Sequence, residues 1–120
     1  MANAFVHAEL NTSDVAKAKG FYSKLFDWTL EDVPMDGMTY TMIKTGEGPG
    51  GGMLKNPVPG VPSNWLTYIK VEDIGAATQK AKSLGGTVMK DVTEVMGAGW
   101  FSIIIDPTGA AFGLWKPKSA

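Results

Sequence analysis

Phe101-Ser-Ile-Ile-Ile-Asp-Pro-Thr-Gly-Ala-Ala-Phe-Gly-Leu-Trp115 reads as a strand, a tight turn and a returning strand. Ile103, Ile104 and Ile105 are β-branched and apolar, which suits a buried pleated element. Asp106-Pro107-Thr108-Gly109 is turn chemistry. Asp bonds back to nearby backbone, Pro presets φ, and Gly accepts positive φ. Ala111 to Trp115 then forms the partner strand.

The same hairpin is written earlier in the chain. Tyr40-Thr-Met-Ile-Lys44 precedes Gly46-Glu-Gly48 and then Gly51-Gly-Met-Leu54. A shift of 61 positions lays Tyr40 on Phe101, Ile43 on Ile104, Gly48 on Gly109, Gly52 on Gly113 and Leu54 on Trp115. A shift of 59 lays Asp14 on Asp73, Val15 on Ile74, Leu25 on Leu84 and Asp32-Val33 on Asp91-Val92. A loop two residues longer after Val92 than after Val33 accounts for the change of offset. A pattern repeated over about half a chain is the mark of an internal duplication.

Between these anchors the elements follow in order. Phe5 to Leu10 alternates, with Val6, Ala8 and Leu10 on one face and His7, Glu9 and Asn11 on the other. Thr12-Ser13-Asp14 ends that strand and offers helix N-caps. Val15 to Phe26 has helical spacing, with Val15, Ala18, Tyr22, Leu25 and Phe26 on the apolar side and Lys17, Lys19, Ser23 and Lys24 toward water. Gly20 weakens this helix by roughly 1 kcal/mol relative to Ala, and its missing Cβ suggests close packing on a sheet. Trp28 to Val33 is a strand, Pro34 to Gly37 a turn, Met38 to Lys44 a strand and Gly51 to Lys55 another. The glycine-heavy residues 45–52 have neither a following Lys-Ser/Thr nor a helix opening behind them, so they read as a turn and not a phosphate loop.

Asn56-Pro-Val-Pro-Gly-Val-Pro-Ser63 is proline-rich and aperiodic, a semi-stiff linker. Beyond it the order repeats: strand Trp65 to Val71, cap Glu72-Asp73, helix Ile74 to Leu84 stopped by Gly85-Gly86, strand Thr87 to Val92, loop Thr93 to Gly99, and the opening hairpin. The expected architecture is α+β: one domain over residues 1–120, built of βαβββ modules at 1–57 and 64–120 joined by a linker at 58–63.

The 120 residues suffice for one domain with a workable core. A net charge of −1 gives no reason to expect nucleic acid or an anionic membrane as a partner. With no cysteine, disulfides, thiolate catalysis and thiolate-bound zinc are excluded, and a cytoplasmic, reducing setting is expected. The start, Met1-Ala-Asn-Ala-Phe-Val-His7, lacks the basic and apolar regions of a secretory signal. No apolar run reaches membrane-spanning length.

His7-x-x-Leu10-x-x-x-Asp14, Phe21-Tyr22-x-x-Leu25-Phe26-x-Trp28 and Asp106-Pro-x-Gly109, in that order, resemble the vicinal oxygen chelate superfamily. That group holds lactoylglutathione lyases, extradiol dioxygenases, and bleomycin and fosfomycin resistance proteins. The ending Phe112-Gly-Leu-Trp115 is similar to that of its small glyoxalase-like branch. The resemblance implies curved mixed sheets around a cavity, helices outside, and a homodimer. It also implies a divalent metal held by first-strand and last-strand positions of each module. Carried over one at a time, these positions are His7, Leu66, Gly113 and Gly52.

Leu and Gly side chains donate nothing to a metal. Glu9, on the strand face of His7, raises the set to two ligands, below the three usual in catalytic sites. No metal or other cofactor is therefore expected, His7 being the one family ligand position retained. His7 and Glu9 alternatively suit a base and its orienter, since two residues apart on one strand face their Cβ atoms lie roughly 6–7 Å apart. Tyr68 and Lys70 match Glu9 and Asn11 under the shift of 59 and are expected on the same face of the second module. Met42, Met53, Met96, Trp100 and Trp115 are candidates to line an adaptable apolar pocket, or to fill a core.

Three readings remain open. One is a metal-independent binder of a small apolar or aromatic ligand, with His7, Glu9, Met53, Tyr68, Trp100 and Trp115 as ligand-binding residues. A second is a lyase or isomerase, related to lactoylglutathione lyase, that uses His7 and Glu9. The third is a scaffold whose own side chains fill the cavity. Fold alone does not choose among them.

Overall fold

A computed structural model describes residues 3–35, 37–57 and 60–118. The elements run β1 (Phe5–Thr12), α1 (Val15–Leu25), β2 (Thr29–Met35), β3 (Met38–Lys44), β4 (Gly51–Lys55), β5 (Asn64–Lys70), α2 (Ile74–Ser83), β6 (Thr87–Val95), β7 (Gly99–Ile105) and β8 (Ala111–Pro117). This is βαβββ written twice, an α+β fold. The chain divides into two compact units, His7–Leu66 and Met1–Val6 with Thr67–Ala120. No described helix is long and apolar enough to cross a membrane.

In the first module the strand order is β2-β3-β4-β1. β1 and β4 run parallel, with Leu10 opposite Met53 and Glu9 opposite Gly52. β3 is antiparallel to both β2 and β4. A parallel pairing needs a crossover, and α1 lies in it. Asp14 caps this helix, its carboxylate accepting from the Lys17 amide. The cap satisfies one of the amides that a helix start leaves without a partner inside the helix. Leu10, Ile43 and Met53 form the buried core, with Val15, Ala18 and Tyr22 of α1 packed on it. Removing each such side chain from water stabilises the fold by roughly 1.5–3 kcal/mol. Lys19 ties α1 to the sheet through Asp32 at 2.9 Å. The hydroxyl of Thr41 also donates to Asp32, at 2.8 Å.

The second module repeats the plan in the order β5-β8-β7-β6. β5 and β8 are parallel, with Tyr68 opposite Gly113. Ile74, Ile104 and Leu114 make its core. Asp73 caps α2 by accepting from the Ala76 amide. The buried Thr78 hydroxyl donates to the Ile74 carbonyl at 2.7 Å, so Ser102 donates to Thr78 across 2.9 Å. The opening hairpin forms as its sequence indicates. Asp106 Oδ1 accepts from the Thr108 amide, the Thr108 hydroxyl and the Ala110 amide, and Gly109 takes φ +100°. These hydrogen bonds, that of the Thr108 side chain foremost, hold the Asp106 carboxyl below its ordinary pKa.

Several boundaries differ from the sequence expectation. β2 continues through Pro34 to Met35, where a turn was expected; Asp36 of that turn lies outside the described residues. β2 is at the edge of its module's strand order, the place in a sheet where proline is tolerated. β6 runs on to Val95 through residues expected as loop, with register shifts between Val88 and Lys90 and between Lys90 and Thr93. Such bulges let a strand bend and keep pairing. Val58 and Pro59 of the expected linker lie outside the described residues. Gly20 is not a close-packing site, because a Cβ there would meet nothing within 4 Å. Leu25, placed on the apolar side by its spacing, is 56 % exposed at the last turn of α1.

Candidate functional site

Alternation places His7, Glu9 and Asn11 on the face of β1 opposite Leu10 and the helix-side core. The register carries that face across the first module. Gly52 stands beside Glu9, and Met42 stands beside Gly52 on β3. Tyr40, two residues before Met42, therefore shares the face. Its hydroxyl lies 2.7 Å from His7 Nε2 and donates to Glu9 Oε2 at 2.9 Å. The His7 and Tyr40 rings are near parallel, 20° apart in plane, with centroids 6.3 Å apart. A phenol thus joins the imidazole and carboxylate that the sequence placed side by side.

Burial lowers the His7 pKa below its ordinary 6.5, because a desolvated imidazolium loses hydration that the neutral ring scarcely needs. At neutral pH the ring is uncharged. The neutral ring presents one donor and one acceptor nitrogen.

Gly52 makes room for this arrangement. A Cβ at that position would collide with the Oη, Cζ and Cε2 atoms of Tyr40. The second module has a counterpart built from a different strand. The Tyr68 ring of β5 covers Gly113, where a Cβ would collide with Cδ2 and Cε2. Tyr68 is 5 % exposed and meets Phe101 edge-on, 6.4 Å between centroids. The register of β8 puts Trp115 on this face as well, beside Lys70 and Phe101.

The other candidates separate from these. Met53 is 0 % exposed and belongs to the core beneath α1, because its partner Leu10 faces the helix. Trp100 packs against the α2-side core, with the Lys116 and Lys118 ammonium groups 5.0 and 5.3 Å from its ring centre. Both are on the helix side of their sheets, so neither joins the faces bearing His7 or Tyr68. Met96 is 84 % exposed in the turn between β6 and β7. Tyr40 is the site residue that sequence reasoning passed over. Its signal was present, since it alternates with Met42 on the strand that borders Gly52.

The resemblance implies a metal at these strand positions, three of which, Leu66, Gly52 and Gly113, have no donor side chain. Leu66 offers no ligand atom, and phenol rings cover the backbone at Gly52 and Gly113. Among the described residues, no group of three or more His, Cys, Asp or Glu side chains stands together as a metal site. Catalytic zinc sites ordinarily present three protein ligands.

Residues 4–114 match the family model of the glyoxalase/bleomycin resistance protein/dioxygenase superfamily, and the chain belongs to that superfamily. The chain is 40 % identical over 114 residues to "Putative glyoxylase CFP32" of Mycobacterium bovis, an alignment covering 90 % of this chain and 43 % of that protein. It is 30 % identical over 128 residues to "Anthracycline biosynthesis protein DnrV" of Streptomyces peucetius, covering 90 % and 45 % respectively. The chain thus spans less than half the length of these curated relatives. The crystal structure of methylmalonyl-CoA epimerase from Mycobacterium tuberculosis superposes with a TM-score of 0.71 at 14 % identity, over 94 % of this chain and 87 % of that one. At that identity the likeness concerns the fold.

Proposed function

We propose that this chain is a small-molecule-binding member of its superfamily that takes an apolar or aromatic ligand without a divalent metal. The carrying observation is the pair of phenol rings over Gly52 and Gly113, the two last-strand positions where the family pattern calls for ligands. In the first module the binding face has a polar end, His7, Tyr40 and Glu9, beside the apolar Met42. The second module carries an aromatic cluster of its own, Tyr68, Phe101 and Trp115. An apolar side chain beside a few polar groups, as in the first module, is the usual composition of a small-ligand site. The name of the Streptomyces relative, an anthracycline biosynthesis protein, supports a planar aromatic ligand class. The protein acts as a homodimer in a reducing, cytoplasmic compartment. Light scattering at micromolar concentration tests the dimer, and a monomer mass removes it.

A thermal-shift screen of planar aromatic compounds, run with and without a chelator, tests the binding reading. A bound ligand raises the midpoint, and the shift grows with the logarithm of its concentration above Kd; the expected shift is the same in both arms. Near-stoichiometric metal in the purified protein, together with ligand shifts that the chelator abolishes, would overturn it.

A second reading is favoured by the hydrogen bonds among His7, Tyr40 and Glu9: a lyase or isomerase with His7 as the base. A positioned base with a pKa near working pH is the requirement for such chemistry. Turnover of the methylglyoxal–glutathione adduct by metal-free protein, lost in His7→Ala, would select this reading.

A further inference from the structure

We propose that the exposed aromatic ridge at the end of α1 seats in a groove beside α2 of a second copy of this chain. The inference rests on the homodimer reading above and names the surfaces that make the dimer.

The duplication marks both surfaces. The shift of 59 lays Phe21 on Lys80, Tyr22 on Ala81, Phe26 on Gly85 and Trp28 on Thr87. One helix thus ends in a run of rings where the other has small or polar residues. In the first module the rings form one cluster. Tyr22 lies 5.1 Å from Phe21, 5.6 Å from Trp28 and 5.7 Å from Trp65, between ring centroids. Phe26 and Trp28 are 4.8 Å apart. Rings at such distances touch one another and leave no room for a ligand between them. Tyr22 and Trp28 pack inward on the module core, whereas Phe21, Leu25, Phe26 and Trp65 are exposed. The cluster therefore presents an apolar ridge outward.

The second module has a groove of about 560 Å³ at the matching helix. Phe5, Val71, Ala77, Ala81, Leu84 and Phe112 line it, and Phe5 and Leu84 are exposed. Ala81 stands where the first module has Tyr22, so a methyl lines the groove in place of a ring. Ridge and groove both lose unfavourable contact with water when one fills the other. Charge permits the match. Lys24 and Asp27 flank the ridge in sequence, Glu72 and Lys80 line the groove, and all four are exposed. The ion pairs among the described residues use none of them. Each surface offers both signs to the other, and no single-sign field opposes the approach.

Size selects a two-fold pair. An aromatic side chain has roughly 150–250 Å² to bury, and Phe21, Phe26 and Trp65 are about half exposed, so one ridge supplies roughly 300 Å². With the wall it covers, one contact removes roughly 600 Å² from water, below the roughly 1,200 Å² at which stable specific interfaces begin. Two copies about a two-fold axis make the contact twice, the ridge of each in the groove of the other, and reach that size.

The test uses light scattering on the full chain at micromolar concentration. The ridge variant is Phe21→Ser with Leu25→Ser, and the groove variant is Phe5→Ser with Leu84→Ser. All four side chains are exposed, and circular dichroism checks that each variant folds. The unaltered protein is expected to be a dimer and each variant a monomer. Mixed one to one, the variants are expected to pair, because the intact groove of one meets the intact ridge of the other. That pairing needs a higher concentration than the unaltered dimer, since one of two contacts is left. A dimer that persists in either variant would overturn the proposal, as would a mixture no more associated than its parts. If a double variant does not fold, Phe21→Ser and Leu84→Ser alone carry the same comparison. A monomeric unaltered protein removes the dimer reading and this one together, whereas dimers in both variants remove this one alone.

Discussion

Tyr68 and Gly113 face each other across the parallel β5–β8 pair, and the ring occupies the space that a side chain at 113 would need. The colliding atoms are Cδ2 and Cε2, on the side of the ring, with Cγ at its root a further 3.0 Å contact, so the tyrosine cannot clear the space by moving its tip alone. Gly113→Ala is expected to cost about 1–3 kcal/mol, the usual range for overpacking a filled core. In a Tyr68→Ala background the same change is expected to cost much less. Denaturant unfolding of the four proteins in this cycle measures the coupling, and additive effects would remove the link between ring and glycine.

Gly52 sits under the other end of a ring. The Oη, Cζ and Cε2 atoms of Tyr40 would meet the new methyl, and that end can swing away. Gly52→Ala is expected to cost less stability than Gly113→Ala, yet to separate the phenol oxygen from His7 and Glu9. A changed His7 imidazole titration by NMR with a nearly unchanged denaturation midpoint is the expected signature.

Burial lowers the pKa of His7 in the folded state, so the unfolded chain binds the additional proton more readily. Stability therefore rises with pH where the unfolded state carries more protons, and this contribution is full above the unfolded value near 6.5. It is lost as pH falls from there through the lower folded value. The expected observation is a thermal midpoint that drops on acidification from neutral pH, with a smaller drop in His7→Gln. Equal slopes in the two proteins would refute this assignment.

Asp14 and Asp73 cap the two helices through equivalent bonds, to Lys17 and Ala76 amides at 3.0 Å each. Asp14→Ala and Asp73→Ala are each expected to cost about 1 kcal/mol. The two sites share no partner in these bonds, so the double variant is expected to lose close to the sum. Chemical denaturation checks both statements.

His7→Ala is expected to leave metal content unchanged, because the positions paired with it offer no ligand atoms. Elemental analysis of both proteins after purification without added metal reads this directly. Loss of near-stoichiometric zinc, nickel, iron or manganese on that substitution would contradict it.

Alternation and duplication carried much of this structure. The shift that laid Tyr40 on Phe101 and Gly52 on Gly113 predicted two βαβββ modules, and both helices start at the predicted aspartates. Local chemistry suffices there, because turn residues, caps and hydrophobic period act over a few neighbouring residues. The errors fell where neighbours in space overrule neighbours in sequence. Pro34 stays in a strand because that strand is an edge, and Met53 turns to the helix because its partner is Leu10.

From the order of residues came the repeated module, the single imidazole, and, through the family resemblance, Leu66, Gly52 and Gly113 as the positions that correspond to ligands. The tertiary structure alone decided which side chains lie over the two glycines. Tyr40 is 31 residues from Glu9 and 33 from His7 in the chain, and pairing of β3, β4 and β1 brings the three together. Tyr68 reaches Gly113 only because β5 and β8 run parallel in register. Side-chain alternation sets which face a residue takes, but register between distant strands sets whom it meets. That register depends on packing across the whole module.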